Sequence, residues 1–115
     1  MKILDLVLKA QWYDMIESGE KKEEYREITD YWAKRLCCYG ISLGFCDLCK
    51  QKNCNMVNRA DGNIELRYDA VRFRYGYTKR TMLFKLNSIS IGKGNPAWGA
   101  PNHEVFILKS GERIK

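Results

Sequence analysis

The sequence predicts an α+β fold, mainly β, in which short strands form a small β-barrel beside an early N-terminal helix and a second short helix. Several short segments alternate apolar and polar residues, the period of half-buried strands. One segment near the start has helical spacing instead, and glycine, asparagine and proline separate the rest. With 115 residues, 45% of them hydrophobic and 30% charged, the chain is expected to form one domain, 1–115, around a single core.

Composition also suggests where the protein works and what it binds. No apolar run is long enough for a membrane span, and Asp5 interrupts the only apolar stretch near the start, so we expect a soluble, cytoplasmic protein without a membrane partner. The net charge is +6. Residues 1–58 hold nine basic and nine acidic side chains, whereas residues 59–115 hold eleven and five. A basic second half suggests a polyanion, with nucleic acid first, and ordinary solubility charge is the alternative.

The first strand and helix follow directly from spacing. Alternating apolar residues predict a strand from Ile3 to Leu8. From Ala10 the period becomes helical, with three residues at i, i+3 and i+4 forming the expected inward face: Trp12, Met15 and Ile16. Gly19 is well placed to end this helix, because glycine adopts the left-handed conformation at little cost.

The charged stretch after the helix is the main candidate site. A strand is predicted from about Lys22 to Ile28, and within it Glu24 and Arg26 share a face because side chains repeat with period two. Lys21, at the preceding turn, can be directed to the same side. These three charges would then surround one concavity. The alternatives are a solvated turn, or Glu24 and Arg26 simply neutralising each other as strand neighbours.

The remaining elements are mostly strands. Thr29 or Asp30 can cap a second helix, with Trp32 and Leu36 facing inward. Residues 37–62 carry five cysteines and many glycines and asparagines, and are interpreted as an irregular insertion or long hairpin. The predicted strands that follow are Ala70–Tyr75, Thr81–Ile91 and Val105–Leu108, with a loop at 92–101. The alternation in the second of these changes phase near Asn87-Ser88, as a β-bulge would cause.

The spacing Gly-x-Lys-x-x-Glu-x-Arg, formed here by Gly19, Lys21, Glu24 and Arg26, resembles the signature of the ASCH domain. ASCH domains are small β-barrels related to the PUA domains of RNA-modifying proteins. The resemblance covers the first strand and helix, the motif itself, and the strands from Ala70 to Ile114. It implies a PUA-like barrel with a cleft beside the motif and a role near RNA or nucleosides.

The hydrolase branch of that family differs from this chain at two of three positions. Members of that branch remove the acyl group of N4-acetylcytidine with a lysine, a threonine and a glutamate, and other family members have been linked to ribonuclease activity. Lys21 matches the lysine, Glu24 stands where the threonine would be, and the glutamate falls near Lys85. A carboxylate does not replace a threonine nucleophile. The resemblance therefore does not extend to amidohydrolase activity.

Individual residues suggest specific ligand contacts. Lys21 can bind phosphate or act as a base, Glu24 can accept from a nucleobase amine, and Arg26 can hold Glu24 or bind phosphate. Trp98, on the loop, can stack on a base or pack on the barrel, and Tyr75 and Tyr77 have the same alternatives. Four basic residues are candidates for backbone contacts, unless they are only a solvated sheet face: Arg72, Arg74, Lys79 and Arg80. The single histidine, His103, fits a strand end as well as catalysis.

The cysteines suggest a structural zinc site, with free thiols as the alternative. Cys46 and Cys49 have the C-x-x-C spacing of a zinc knuckle, and Cys37 and Cys54 complete one possible set of four ligands. Cys38 is also near enough in sequence to take part. An odd cysteine count argues against a disulfide framework.

Two functions from different classes follow from these residues. The first is binding of nucleic acid, with RNA first, or of a nucleotide through a charged cleft in a PUA-like barrel. The second is a hydrolase acting on a modified nucleoside or on RNA, with Lys21 and Glu24 as an acid–base pair. A protein-interaction domain with an empty cleft is the third possibility, and the oligomeric state is not predicted.

Overall fold

A computed structural model describes residues 1–36, 63–64 and 66–115, and shows a small α+β fold that consists mainly of strands. The predicted insertion at about 37–62 lies outside the described residues, apart from the short strand that follows it. The elements, in chain order, are β1 (Ile3–Leu8), α1 (Ala10–Glu17), β2 (Glu23–Arg26), α2 (Asp30–Leu36), β3 (Asn63–Ile64), β4 (Ala70–Tyr75), β5 (Thr81–Gly92), a 3-10 turn (Pro96–Trp98) and β6 (Val105–Arg113). No helix among these described elements is long and apolar enough to cross a membrane.

The strands form one curled sheet, a half-barrel, in the order β1-β4-β5-β6-β2. β1 pairs with β4 in parallel, and the other pairs along this path are antiparallel. β3 adds to β5 beside this path. The prediction of a small barrel-like fold is confirmed to the extent that the sheet is a curled half-barrel. The two ends of the sheet, β1 and β2, are not paired with each other in the described structure, and a gap separates their edges.

The hydrophobic core fills the inside of the half-barrel. The alternation of apolar and polar residues in the sequence explains which side chains it contains. In β1 the leucines are buried while Asp5 and Val7 point outward. In β4, Val71 and Phe73 are buried, with Arg72 and Arg74 on the opposite face. β6 is longer than the predicted strand. Its buried residues Val105, Phe106 and Leu108 come from both faces, as a continuous apolar run predicts.

The first helix confirms its predicted limits but not its predicted inward face. Tyr13 and Ile16 are buried, whereas Trp12 and Met15 are only half-buried. Tyr13 meets the ring of Tyr75 edge-on, with the centroids 5.1 Å apart. The buried face is therefore centred on Tyr13 and Ile16, and Trp12 lies at the boundary of the core. Gly19 follows the helix end with φ +86°, the left-handed conformation predicted from its position.

The predicted bulge in β5 is present. Leu86 and Ser88 face Ser110 and Lys109, so Asn87 is one extra residue relative to β6. Burial changes phase at the same place, from Leu86 to Ile89. An opposite shift lies between Phe84 and Leu86, where β6 has the extra residue, so the register is restored along the sheet.

The loop after β5 approaches β2 so closely that one glycine is required. A Cβ on Gly94 would lie 2.3 Å from the ring of Tyr25 and 2.8 Å from the Cβ of Ala100. A Cβ on Gly92 would meet only Ile107 Cδ1, at an ordinary 3.6 Å. Gly94 therefore permits the contact between this loop and the buried ring of Tyr25.

We expect Gly94→Ala to lower the free energy of unfolding by about 1–3 kcal/mol, the usual cost of overpacking a close contact. Gly92→Ala is the matched control and should change it by less than about 0.5 kcal/mol. Urea denaturation of the three proteins measures both effects. Equal stability of the two variants would show that the loop does not rest on Tyr25.

Candidate functional site

The gap between β1 and β2 is a cleft of about 620 Å³. β1 contributes one wall, through residues 5–8, and β2 contributes the other through Glu24, Tyr25 and Arg26. The remaining lining is mostly aromatic and comes from both helices, the β4–β5 turn and the loop before β6: Trp12, Tyr31, Trp32, Tyr77 and Trp98. A concave, largely aromatic space with a few charged groups is the usual form of a small-molecule or nucleotide site.

Lys21 lies behind the cleft wall with its side chain fully buried. Its Nζ donates to the carbonyl oxygen of Trp98 at 2.5 Å and lies 3.2 Å from Glu24 Oε1. The rings of Trp12 and Tyr25 lie 5.2 Å and 4.6 Å from the same nitrogen. Burial lowers the pKa of Lys21, while the neighbouring Glu24 carboxylate opposes that shift. The ammonium is enclosed and does not reach the cleft surface.

Glu24 is held in one orientation by three donors. Its Oε1 accepts from Lys21 Nζ and, at 3.1 Å, from the backbone N–H of Tyr25. Its Oε2 accepts from Arg26 Nη1 at 3.2 Å. The side chain is only 6% exposed, yet it lines the cleft. A carboxylate offers about four acceptor sites, so these contacts leave one for a ligand.

Arg26 connects the two walls of the cleft. Its Nη2 donates to the Val7 carbonyl on β1 at 3.2 Å, and its Nη1 donates to the Tyr25 carbonyl at 3.0 Å. The guanidinium lies over the ring of Trp32, 5.2 Å from the centroid. Its Nε is buried, and no described residue accepts a hydrogen bond from it. A buried donor without an acceptor is costly, so this N–H is an unfavourable feature of the wall. Nη2 uses only one of its two N–H groups on Val7, and the other can donate to a ligand in the cleft.

Tyr25 fixes the loop that carries Trp98. Its hydroxyl donates to Glu23 Oε1 at 2.9 Å and accepts from the backbone N–H of Asn95 at 3.0 Å. Burial is the main reason that the pKa of Tyr25 is raised to about 12. Gly99 has φ +94°, and a Cβ there would lie 2.8 Å from the ring of Trp12. The loop therefore packs closely on both α1 and β2.

The structure brings together four of the sequence-predicted site residues and separates the others. Glu24, Arg26 and Trp98 line the cleft, and Lys21 supports them from behind. The predicted ion pair between Glu24 and Arg26 is also present. The two side chains therefore both line the cleft and neutralise each other. His103 lies outside the cleft, exposed, with Nε2 2.7 Å from Glu27 Oε2.

The four basic residues predicted to contact a nucleic-acid backbone do not line the cleft. Arg72 pairs with Asp5 at 3.2 Å on the outer face of the sheet. Arg74 donates to the carbonyl of Thr78, and Arg80 pairs with Glu17 at 2.8 Å. Lys79 is exposed on the turn between β4 and β5. Any contact that these residues make with a polyanion would lie outside the cleft itself.

Sequence reasoning missed most of the aromatic lining. Helical spacing predicts inward faces for Trp12 and Trp32 rather than positions in a cleft. Tyr25 alternates with Glu24 along β2, so the two side chains lie on opposite faces of the strand. Both are buried, because the cleft covers one side of this edge strand and the loop at 92–101 covers the other. The density of aromatic residues near the charged stretch was the available signal.

The predicted zinc ligands Cys37, Cys46, Cys49 and Cys54 lie outside the described residues. Within residues 1–36, 63–64 and 66–115, no group of three or more His, Cys, Asp or Glu side chains is arranged to hold a metal ion. Comparison of the chain with protein-family models, curated proteins and solved structures finds no match. The resemblance to ASCH domains therefore rests on the Gly19–Arg26 motif and stays a prediction.

Lys21→Met should lower the free energy of unfolding by about 3–5 kcal/mol, because it leaves the Glu24 carboxylate buried with a single cationic partner. Lys22→Met removes an exposed lysine from the next position and should cost less than about 0.5 kcal/mol. Guanidinium chloride denaturation of both variants makes the comparison.

The double variant Lys21→Met, Glu24→Gln should lose less stability than the sum of the two single variants, because the uncompensated carboxylate is then gone. Additive losses, or a Lys21→Met variant as stable as Lys22→Met, would contradict a buried ion pair at this position.

Proposed function

We propose that this protein is a PUA-like, ASCH-type module that binds RNA or a nucleotide by holding one unstacked nucleotide in the cleft between β1 and β2. One observation carries the proposal. A carboxylate and a guanidinium, both fixed by neighbouring groups, lie in a cleft whose other walls are largely aromatic. Its volume of about 620 Å³ suits one nucleotide.

Each part of the cleft matches a part of a nucleotide. Aromatic rings stack on bases of any sequence, and Trp98 and Trp32 supply such rings. The acceptor site left on Glu24 suits an exocyclic amine of a base, and the second N–H of Arg26 Nη2 supplies a donor for an adjacent ring nitrogen or carbonyl. The net charge of +6 favours a phosphate-bearing ligand over a neutral one.

Trp98→Ala should weaken binding of a fluorescein-labelled single-stranded RNA by about 5- to 150-fold, the equivalent of about 1–3 kcal/mol of stacking. Trp98→Phe keeps a ring and should recover most of the affinity. The backbone carbonyl that holds Lys21 is unchanged in both variants. Fluorescence anisotropy at low and moderate salt measures the affinities, which should fall as salt rises. Absence of RNA and mononucleotide binding by the unaltered protein at low salt would overturn the proposal.

The second candidate is a hydrolase acting on a modified nucleoside or on RNA. The buried pair of Lys21 and Glu24, 3.2 Å apart, together with the lowered pKa of Lys21, favours it, because shifted ionisable groups beside a cleft are typical of catalytic sites. Glu24 would take a proton from the attacking water and pass it to the leaving group. Lys21, enclosed behind it, would exchange protons only with Glu24.

Glu24→Gln separates the two candidates. The amide keeps the size of the side chain but does not take a proton, so a hydrolase would lose turnover while its affinity for substrate changes less than about tenfold. Hydrolysis of acylated nucleosides and of single-stranded RNA, followed by chromatography, measures turnover. Wild-type turnover by Glu24→Gln removes the assignment, and no turnover by the unaltered protein leaves the binding function alone.

A further inference from the structure

The turn between β4 and β5, residues 76–80, forms one end of the cleft and carries an unusually exposed aromatic side chain. Gly76 N–H donates to the carbonyl of Leu8 at 2.9 Å, which attaches the turn to the end of β1. Tyr77 follows, 97% exposed, and lines the cleft. A single exposed aromatic residue is ordinary on a protein surface, so its exposure alone carries no conclusion.

The distribution of exposed apolar side chains is more informative. The described chain has six large exposed ones: Met1, Val7, Tyr31, Leu66, Tyr77 and Ile114. Three of these six line the cleft, namely Val7, Tyr31 and Tyr77. Exposed apolar surface is therefore concentrated around this one opening. Such surface beside a built cleft indicates that a bound molecule extends beyond the cleft and covers its rim.

Hydrogen bonds on both sides of Tyr77 fix the backbone of the turn. Thr78 Oγ1 donates to the Tyr75 carbonyl at 2.6 Å and accepts from the Arg80 backbone N–H at 3.2 Å. Arg74 Nη1 donates to the Thr78 carbonyl at 3.0 Å. Gly76 takes φ +54°, which favours glycine. The backbone that carries the ring is therefore already ordered, and stacking of a base has to fix only the side-chain torsions of Tyr77.

Exposed lysines lie in the same part of the molecule. Lys9 lines the cleft and Lys79 lies two residues after Tyr77, and both are exposed. Neither forms an ion pair with a residue in the described part of the chain. Arg80 lies beside them, paired with Glu17 and 5.1 Å from the rings of both Tyr13 and Tyr75. Exposed aromatic rings with unpaired lysines between them are the usual surface for a single nucleic-acid strand.

We infer that the ligand is a segment of single-stranded RNA rather than a free nucleotide. One base occupies the cleft, the adjacent base stacks on Tyr77, and the phosphates between them pass Lys9 and Lys79. This inference rests on the proposed binding function and adds the class of ligand and a second contact site at the rim of the cleft. A duplex does not fit it, because paired bases do not present their faces to Tyr77.

The test compares an octaribonucleotide of mixed sequence with the four nucleoside 5′-monophosphates, each titrated separately. Tyr77→Ala should weaken binding of the octamer by about 5- to 150-fold and weaken binding of each monophosphate by a smaller factor, because Tyr77 forms the rim of the cleft and a monophosphate lies inside it. Tyr77→Phe should restore octamer binding. Because Tyr77 is almost fully exposed, neither change should alter the fold, and the urea denaturation midpoint verifies this.

The lysines provide an independent measurement with a matched control. Lys79→Ala should reduce the slope of log affinity against log salt by about 0.7 for the octamer, the value for one phosphate contact on a single strand. Lys85→Ala removes an exposed lysine at the opposite end of the β4–β5 pair and should leave the slope unchanged.

Three results would overturn the inference while leaving cleft binding intact. These are an octamer affinity no higher than that of the monophosphates, an unchanged octamer affinity in Tyr77→Ala, and equally tight binding of a duplex of the same sequence. An equal loss of octamer and monophosphate affinity in Tyr77→Ala would also overturn it, since Tyr77 would then contact only the base inside the cleft. Failure of the unaltered protein to bind either ligand would instead remove the proposed function itself.

Discussion

The buried ammonium of Lys21 is the interaction on which the site depends. It bonds the carbonyl of Trp98 and the carboxylate of Glu24, and two aromatic rings enclose it. A charge taken out of water is unfavourable unless it is paired and hydrogen-bonded, and here it is both. Its position therefore determines where the carboxylate points and where the loop with Trp98 lies. Lys21 thus holds in place both Glu24, in the wall of the cleft, and the loop that carries Trp98.

The cleft exists because the two end strands of the described sheet, β1 and β2, do not pair with each other. A sheet closed on itself would pair β1 with β2 and leave no space between them. Here the two end strands stay apart, and the side chain of Arg26 bonds across the gap to the Val7 carbonyl. One strand edge thus receives a charge-assisted hydrogen bond in place of a backbone partner, and the remaining space is lined by aromatic rings.

Under the proposed binding function, these features supply three kinds of contact around one opening. The carboxylate and guanidinium provide directional hydrogen bonds in the interior, the tryptophans provide stacking surfaces, and the rim carries exposed tyrosines with exposed lysines nearby. Hydrogen bonds select a base edge, stacking holds any base, and lysines attract phosphate. The buried Lys21–Glu24 pair also provides ionisable groups of the kind that hydrolysis uses, and the Glu24→Gln variant distinguishes binding from turnover.

Most of the secondary structure was predictable, because it depends on local spacing. The strand Ile3–Leu8, the helix from Ala10, the left-handed Gly19 and the bulge at Asn87 all followed from alternation, period or single-residue preferences. The shared face of Glu24 and Arg26 followed from the period of two in a strand. These features involve residues close in sequence, so short segments contain the information that they need.

Only the tertiary structure decided what the charged stretch does. Lys21 was expected in the concavity with Glu24 and Arg26, but it lies behind them, because the Trp98 carbonyl, 77 residues away in sequence, is its acceptor. Tyr25 is buried beside Glu24 because a distant loop covers the other face of β2. Periodicity assigns a side chain to a face, but long-range packing determines what covers that face. The sequence alone therefore determined the elements and the charged motif, and the tertiary contacts turned that motif into a cleft.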